Sequence, residues 1–420
     1  MDDFPKLLDD CVHCGFCLPT CPTYELWGEE MDSPRGRIHL MTQLEKGEPL
    51  SGSMVEHFDR CLGCMACVTA CPSGVQYDRL IEVTRARVED ERPRTRTDRL
   101  LREAIFAVFP YPKRLRALRL PLRAYQASRI NLSPLLERLS PTLAAMERLA
   151  PPRARHVKLP ERVEACGERR AVVGMLTGCV QREFFPGVNA ATARVLSMEG
   201  CDVLVPKGQG CCGALSLHSG RAAEAKDFAK ATIASFADVE VVVVNAAGCG
   251  SAMKDYADVL ADEPEWAERA REFSAKTRDL AEYLAELGPR ATRHPLELSV
   301  AYHDACHLAH AQGIRAQPRD LLKSIPGLEV REIADPDICC GSAGVYNLLQ
   351  PEAAGELGDR KAANVSAVGA DLLVAANPGC SLQIATALGR RGEKIAVAHT
   401  AEVLDASIRG IGKEFVSTRR

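Results

Sequence analysis

The chain has 420 residues, is 46% hydrophobic and 26% charged, and carries a formal net charge of −3. These values exclude a disordered chain, a wholly basic nucleic-acid binder and a single small module, and the length predicts about two to four domains. What stands out is eighteen cysteines against only 5% aromatic residues.

The N-terminus, Met1-Asp2-Asp3-Phe4-Pro5, lacks the basic-then-apolar pattern of a secretory signal, and the cysteines fall in tight clusters instead of the spread positions of a disulfide scaffold. Both features predict a reducing cytoplasm in which thiolates serve metal. The best apolar run, Val241-Val242-Val243-Val244, stops at Asn245, so no segment is expected to span a bilayer.

Residues 11–22 read C-V-H-C-G-F-C-L-P-T-C-P and residues 61–72 read C-L-G-C-M-A-C-V-T-A-C-P. Both match C-x2-C-x2-C-x3-C-P, the run that supplies three thiolates to one [4Fe-4S] cluster and its fourth to the neighbouring cluster. Cluster one then takes Cys11, Cys14, Cys17 and Cys71, and cluster two takes Cys61, Cys64, Cys67 and Cys21. Zinc ribbons also use C-x2-C pairs, but two complete four-cysteine runs fit the cluster reading better. His13 lies inside the first run with all ligand places already filled by sulfur.

Between the runs, Ser33, Pro34 and Gly47 frame a helix over Arg35 to Lys46, and a second helix is predicted from Tyr77 to Glu91. Arg35 and Arg37 would either place positive charge near a cluster, dock a partner or simply form a solvated helix start.

From Arg92 to Arg129 there are eleven basic residues and two acids, a local charge of +9 that leaves −12 for the remainder. Leu115, Leu118, Leu120 and Leu122 interleave with these charges, including Arg114, Arg116 and Arg119, as on helices that lie against an anionic membrane or an acidic partner. A solvated connecting helix is the plain alternative. No aromatic stacking platform accompanies the charge, so no nucleic acid is expected. Pro141, Pro151, Pro152 and Pro160 mark a linker ending near Cys166.

After residue 170 the chain repeats itself. Cys179, Cys211-Cys212-Gly213 and Gly248-Cys249 recur as Cys306, Cys339-Cys340-Gly341 and Gly379-Cys380, at offsets of 127, 128, 128 and 131 residues. Short β-branched runs at 171–178, 239–245, 298–302, 328–333 and 371–377 alternate with helical stretches such as Val188 to Met198 and Arg221 to Phe236. This pattern predicts parallel strands with each cysteine group just past a strand's carboxyl end, where α/β sheets build sites.

Two other motifs compete here. Gly208-Gln209-Gly210-Cys211-Cys212-Gly213 matches G-x-G-x-x-G, but the second copy keeps the cysteines and not the first two glycines. His303 and His307 stand four apart around Asp304, as in a zincin helix; Cys306 and the preceding strand argue against protease chemistry, and His307 is read as a supporting hydrogen-bonder.

The order of parts resembles the superfamily that holds the cysteine-rich subunits of heterodisulfide reductase and of glycerol-3-phosphate dehydrogenase. Within it, C-V-H-C-G-F-C at 11–17, C-P-T-Y at 21–24, S-P-R-G-R-I at 33–38, N-A-A-T-A-R-V-L at 189–196, G-C-G at 248–250 and C-C-G-S-A-G at 339–344 are similar to iron-sulfur subunits of glycolate oxidase. The resemblance implies an electron-transfer subunit of a glycolate oxidase complex: an FAD-containing partner oxidises glycolate or a related 2-hydroxy acid, FAD being only in that partner. This chain would carry the electrons through two [4Fe-4S] clusters to a quinone or other acceptor, from the inner face of the cell membrane. Relatives imply alternatives, the iron-sulfur subunit of a glycerol-3-phosphate or lactate dehydrogenase, or thiol-disulfide chemistry at the CCG centres. The pattern departs from the heterodisulfide reductases at Ala252 and Gln383, where C-x-x-C would end each motif. An iron-sulfur cluster, zinc, or no cofactor at all therefore stays open for the CCG halves.

The expected architecture is α+β multidomain: a helical two-cluster ferredoxin module (1–92), a basic helical linker (93–169), and two homologous α/β CCG domains (170–290 and 291–420). Cys166 and Cys201 have no counterpart and are read as ordinary residues.

Overall fold

The computed structural model describes residues 4–91, 94–128, 130, 132–152, 157–412 and 414–417. Met1–Asp3, the 92/93 boundary, and Arg92 and Arg129 of the basic run lie outside the described residues.

The N-terminal module is helical. Helix Pro34–Glu45 starts where predicted because the Ser33 hydroxyl accepts the Gly36 N–H at 3.0 Å, a cap worth about 1 kcal/mol, and Pro34 needs no donor at the first turn. Helix Tyr77–Glu91 matches its expected bounds. With Gly52–Arg60 these helices bury Ile38, Met41, Leu44, Phe58, Leu80 and Ile81 in one core. A fully buried Phe58 contributes about 2–3 kcal/mol by area.

Four helices follow, Arg96–Val108, Pro112–Ser128, Ser133–Leu139 and Pro141–Arg148. This stretch does not hang free as a tether. Arg116 and Arg119 turn onto Glu183 of the first CCG half, a carboxylate only 1% exposed, at 2.9 and 3.4 Å. Leu115 on the same helix packs against Cys179 and Cys211.

The strands are β1 (Arg162–Val163), β2 (Ala171–Met175), β3 (Cys201–Leu204), β4 (Val241–Val244), β5 (Thr277–Asp279), β6 (Leu298–His303), β7 (Leu328–Glu332), β8 (Leu372–Ala375) and β9 (Ala396–Ala398). They form two sheets, ordered β1-β3-β2-β4-β5 and β7-β6-β8-β9. All pairings are parallel except β1 with β3, and in each sheet the first strand of the repeat is central: Val173 faces Val203 and Val241, and Tyr302 faces Glu332 and Val374. β1 extends the first sheet into residues assigned above to the linker. β1, β5 and β9 are two or three residues long, too short to show a strand period in sequence. The two halves are not separate bodies: one core runs from Val173, Val195 and Val203 through Leu280 and Leu284 to Val300, Leu372 and Leu404.

Candidate metal centres

The two cysteine runs come together in space. Cys21, Cys61, Cys64 and Cys67 line a single cavity, joined there by Arg37, Thr23 and Tyr77. Three come from one run and the fourth from the other, and this convergence on a common space is what a cubane cluster requires. In the second group, Cys14 and Cys71 are the cysteine charges that bear on Cys11, and Cys11 bears on Cys17. The centre built on the 61–72 run is the more deeply set. Cys21, Cys61, Cys64 and Cys67 are all buried, whereas Cys14 is exposed and Cys11, Cys17 and Cys71 are half-buried.

Burial pushes the Cys17 thiol up to about 11 and those of Cys64 and Cys67 well above the ordinary value. Cys61 goes the other way. Burial alone would raise it, but the guanidinium groups of Arg37 and Arg85, the Gly63 N–H and the Tyr77 hydroxyl together bring it down. Gly63 N donates to Cys61 Sγ at 3.3 Å and Tyr77 Oη at 3.6 Å, while Cys21 Sγ lies 3.3 Å from Thr23 Oγ1.

The solvated reading of Arg37 is overturned: it is 1% exposed. Its Nε donates to the His57 carbonyl at 2.7 Å, and its Nη2 donates to Thr23 Oγ1 at 3.0 Å and Asp32 Oδ1 at 3.3 Å. Asp32, fully buried, also holds His57 at 2.9 Å and Arg60 at 3.0 Å. A buried cation beside Cys21 and Cys61 is thus locked in place by its own counter-ion. Arg35 serves the other run; it pairs with Glu30 at 2.6 Å and donates to the His13 carbonyl at 3.1 Å. His13 contributes that carbonyl, with its residue exposed.

Each CCG half gathers its four thiols past the ends of three neighbouring strands, β3, β2 and β4 in the first and β7, β6 and β8 in the second. In the first, Cys179 Sγ lies 3.7 Å from Cys211 Sγ, and Cys212 hydrogen-bonds both Cys211 and Cys249. In the second, Cys306 Sγ lies 3.9 Å from Cys339 Sγ, and Cys340 hydrogen-bonds both Cys339 and Cys380. The motif glycine is needed for its backbone: Gly213 and Gly341 have φ of +82° and +87°, and a Cβ on Gly341 would meet the Ala354 carbonyl at 2.7 Å. Gly208 and Gly210 belong to the loop that delivers Cys211 and Cys212 to their partner thiols.

The second CCG half abuts the inner centre. Cys64 shares an apolar cluster with Cys339, Leu62 and Tyr346. His307 Nε2 donates to the Gly63 carbonyl at 2.9 Å, its ring 4.9 Å from that of His218, so it supports the 61–72 run. Burial, then His218, holds it down to about 4 and hence neutral. His303 ends β6 while His307 opens a separate short π-helix, so the zincin pattern is not a single helical face. Arg85 bridges the ferredoxin module to the first CCG half through the carbonyls of Cys61 and His218. The long-range roles of Arg37, Arg85 and Tyr77 have no local sequence signal. His303 has one, since the first copy carries Leu176 at its position. Cys201 is buried in β3 beside Tyr283, and Cys166 is exposed.

Among the exposed large apolar residues are Leu118 and Leu120 of helix Pro112–Ser128 and Leu135, Leu139 and Leu143 of the next two helices. Arg114 rests over the Tyr111 ring at 4.1 Å and is exposed, as is Lys113. No described helix is long and apolar enough to cross a membrane.

Family models match along the chain: a 4Fe-4S dicluster domain at 7–75, a glycolate oxidase iron-sulfur subunit linker region at 97–150, and a cysteine-rich domain twice, at 173–254 and 300–385. The probable glycolate oxidase iron-sulfur subunit of Bacillus subtilis is 38% identical over 96% of both chains. The glycolate oxidase iron-sulfur subunit of Escherichia coli is 37% identical over 96% of this chain and 95% of its own. Lactate utilization protein A of Shouchella clausii is 34% identical but matches only 56% of this chain while covering 98% of its own. A crystal structure of a hypothetical protein from Helicobacter pylori shares the fold, with a TM-score of 0.53 at 8% identity over 99% of this chain and 74% of that one. With its two [4Fe-4S] runs the chain is an iron-sulfur electron-transfer subunit of an oxidoreductase complex. It belongs to the family of glycolate oxidase iron-sulfur subunits.

Proposed function

We propose that this subunit takes electrons from an FAD-containing partner that oxidises glycolate to glyoxylate, and delivers them to a membrane quinone. The observation that carries the reading is the convergence of Cys21 with Cys61, Cys64 and Cys67 on one cavity, in a chain that matches glycolate oxidase iron-sulfur subunits end to end. Bound there, a cubane cluster accepts and releases single electrons, whereas oxidation of a hydroxy acid by flavin yields a pair. The chain's own residues set the terms. Cys11, Cys14, Cys17 and Cys71 hold the more exposed centre, suited to exchange with a partner, and the buried set holds the inner one. Arg37 offsets the negative charge of the inner thiolates.

The linker supports a peripheral membrane site. Lys113 and Arg114 are exposed near Leu118 and Leu120, the mixture that favours an anionic lipid surface. Arg119 is turned inward onto Glu183, whereas Arg116 pairs with Glu183 but stays 58% exposed beside that surface.

Co-expression with the flavoprotein, purification of the complex and a screen of glycolate, lactate and glycerol 3-phosphate tests the reading. Glycolate should give the highest kcat/KM for acceptor reduction; a preference for lactate or glycerol 3-phosphate would replace it. Lys113→Gln/Arg114→Gln should weaken binding to anionic vesicles without loss of soluble-acceptor activity, and unaltered binding would remove the membrane role.

A further inference from the structure

The two CCG halves differ at one position whose chemistry is unused by anything described so far. His303, the last residue of β6, is 1% exposed, and neither ring nitrogen has a hydrogen-bond partner among the described residues. An imidazole buried with both nitrogens unpaired is costly unless something else binds it. A ring nitrogen of His303 and the sulfurs of Cys340 and Cys380 lie within 4.8 Å of one another, all three residues buried. Cys339, next to Cys340 in the chain, stands outside that grouping. The first half has no such nitrogen, because Leu176 stands at the equivalent place, buried in an apolar cluster with Cys212 and Ala214.

We propose that the second CCG half binds a single zinc ion through His303, Cys340 and Cys380, with the fourth position left to a water molecule. The donor set is one imidazole and two thiolates, a combination that tetrahedral zinc takes with water in its fourth position. The spacing fits one ion: zinc bonds of about 2.0–2.3 Å place ligand atoms about 3.5–3.8 Å apart across a tetrahedron, and the three donor atoms lie within 4.8 Å of one another. Charge balance agrees. A divalent ion neutralises the two ligand thiolates, and Lys361, 2% exposed with its ammonium on the Asp335 carbonyl at 2.5 Å, lies beside Cys340 and the remaining thiol Cys339. Asp304 is committed to Arg319 at 2.6 and 2.9 Å and takes no part. The ion would brace the domain face against which Cys64 of the inner cluster packs. The repeat would then hold a mixed nitrogen-sulfur site in its second copy and an all-sulfur set in its first.

The test uses the full chain purified without oxygen. Zinc, iron and sulfide are counted, and cobalt(II) is exchanged for zinc with the cubane clusters oxidised. The wild type should hold zinc in addition to cluster iron, and its cobalt form should show thiolate-to-cobalt absorption with one imidazole nitrogen coupling in pulsed EPR. His303→Leu, which installs the first-half residue, should lose about one zinc per chain and the nitrogen coupling while the cluster spectra persist. His303→Cys should retain zinc without the coupling, which separates ligation from a folding defect. Cys212→Ser, in the first half, should leave the nitrogen-coupled cobalt signal intact. Unchanged zinc in His303→Leu, a coupling that survives there, or iron and sulfide filling the site in place of zinc would each overturn the proposal.

Discussion

Replacing Arg37 by glutamine removes a fully buried cation beside the inner cysteines and keeps a hydrogen-bonding side chain of similar reach. Two hydrogen bonds in series, 3.0 Å to Thr23 and 3.3 Å from Thr23 to Cys21 Sγ, place the guanidinium within about 6.5 Å of that sulfur. At an effective dielectric of about 20, a unit charge at that distance is worth about 2.5 kcal/mol, or about 110 mV for a one-electron couple. Asp32, 3.3 Å from the guanidinium, stays behind and is retained by His57 and Arg60. Its charge is common to both proteins and does not offset the loss, and an effective dielectric between about 20 and 40 gives an expected range of about 50–110 mV. The sign follows from the chemistry: a cation favours the reduced, more negative cluster, so its removal lowers the potential. Redox-titrated EPR of the inner cluster in wild type and Arg37→Gln measures this directly. Arg60→Gln is the control, because Arg60 reaches the far oxygen of Asp32 and is 29% exposed, and it should move the potential less. A shift in Arg37→Gln below about 20 mV, or one upward, would refute the electrostatic role.

Cys64→Ser should remove the inner cluster, halving the cubane iron and abolishing acceptor reduction while substrate still reduces the partner flavin; unchanged iron would contradict the ligand assignment. Gly341→Ala forces a side chain to φ +87° and onto the Ala354 carbonyl, so it should cost about 2–4 kcal/mol in unfolding experiments; Gly355→Ala, with open space around it, should cost nothing. Asp279, a helix cap raised to about 7 chiefly by burial, binds its proton more tightly folded than unfolded, so its contribution fades as pH rises through 7. Asp279→Asn keeps the cap to the Ala281 N–H without the charge. Its stability advantage over wild type should grow by about 2 kcal/mol between about pH 5.5 and about pH 8, and a pH-independent difference in urea midpoints would disprove the assignment.

The ligand sets are legible in the sequence because thiolate spacing is a local code: the C-x2-C-x2-C-x3-C-P runs and the recurring CCG strings predict which sulfurs meet. The same holds for helix Tyr77–Glu91 and for the strands that precede each cysteine group. What escapes depends on partners remote in the chain. Arg37 reads as an exposed helix-start residue until Asp32, Thr23 and His57 enclose it. Arg119 reads as part of a surface stripe until Glu183, more than sixty residues on, draws it inward, while Arg116 pairs with the same carboxylate and stays exposed. The repeat predicts two CCG domains but does not reveal that β2 and β6 back onto one shared core. His303 is visible in the sequence as half of a histidine pair, yet its signal lies in a difference between the two halves, whereas the repeat is defined by the cysteines they share.

Rapid mixing of the anaerobic complex with glycolate, freeze-quenched and read by EPR, most directly tests the proposed relay of electrons from the partner flavin through the two clusters. The reduced-cluster signals should rise as the flavin is reoxidised, at least as fast as turnover, and the inner-cluster signal should be missing in Cys64→Ser. Clusters that stay oxidised while the acceptor is reduced at the full rate would contradict the account.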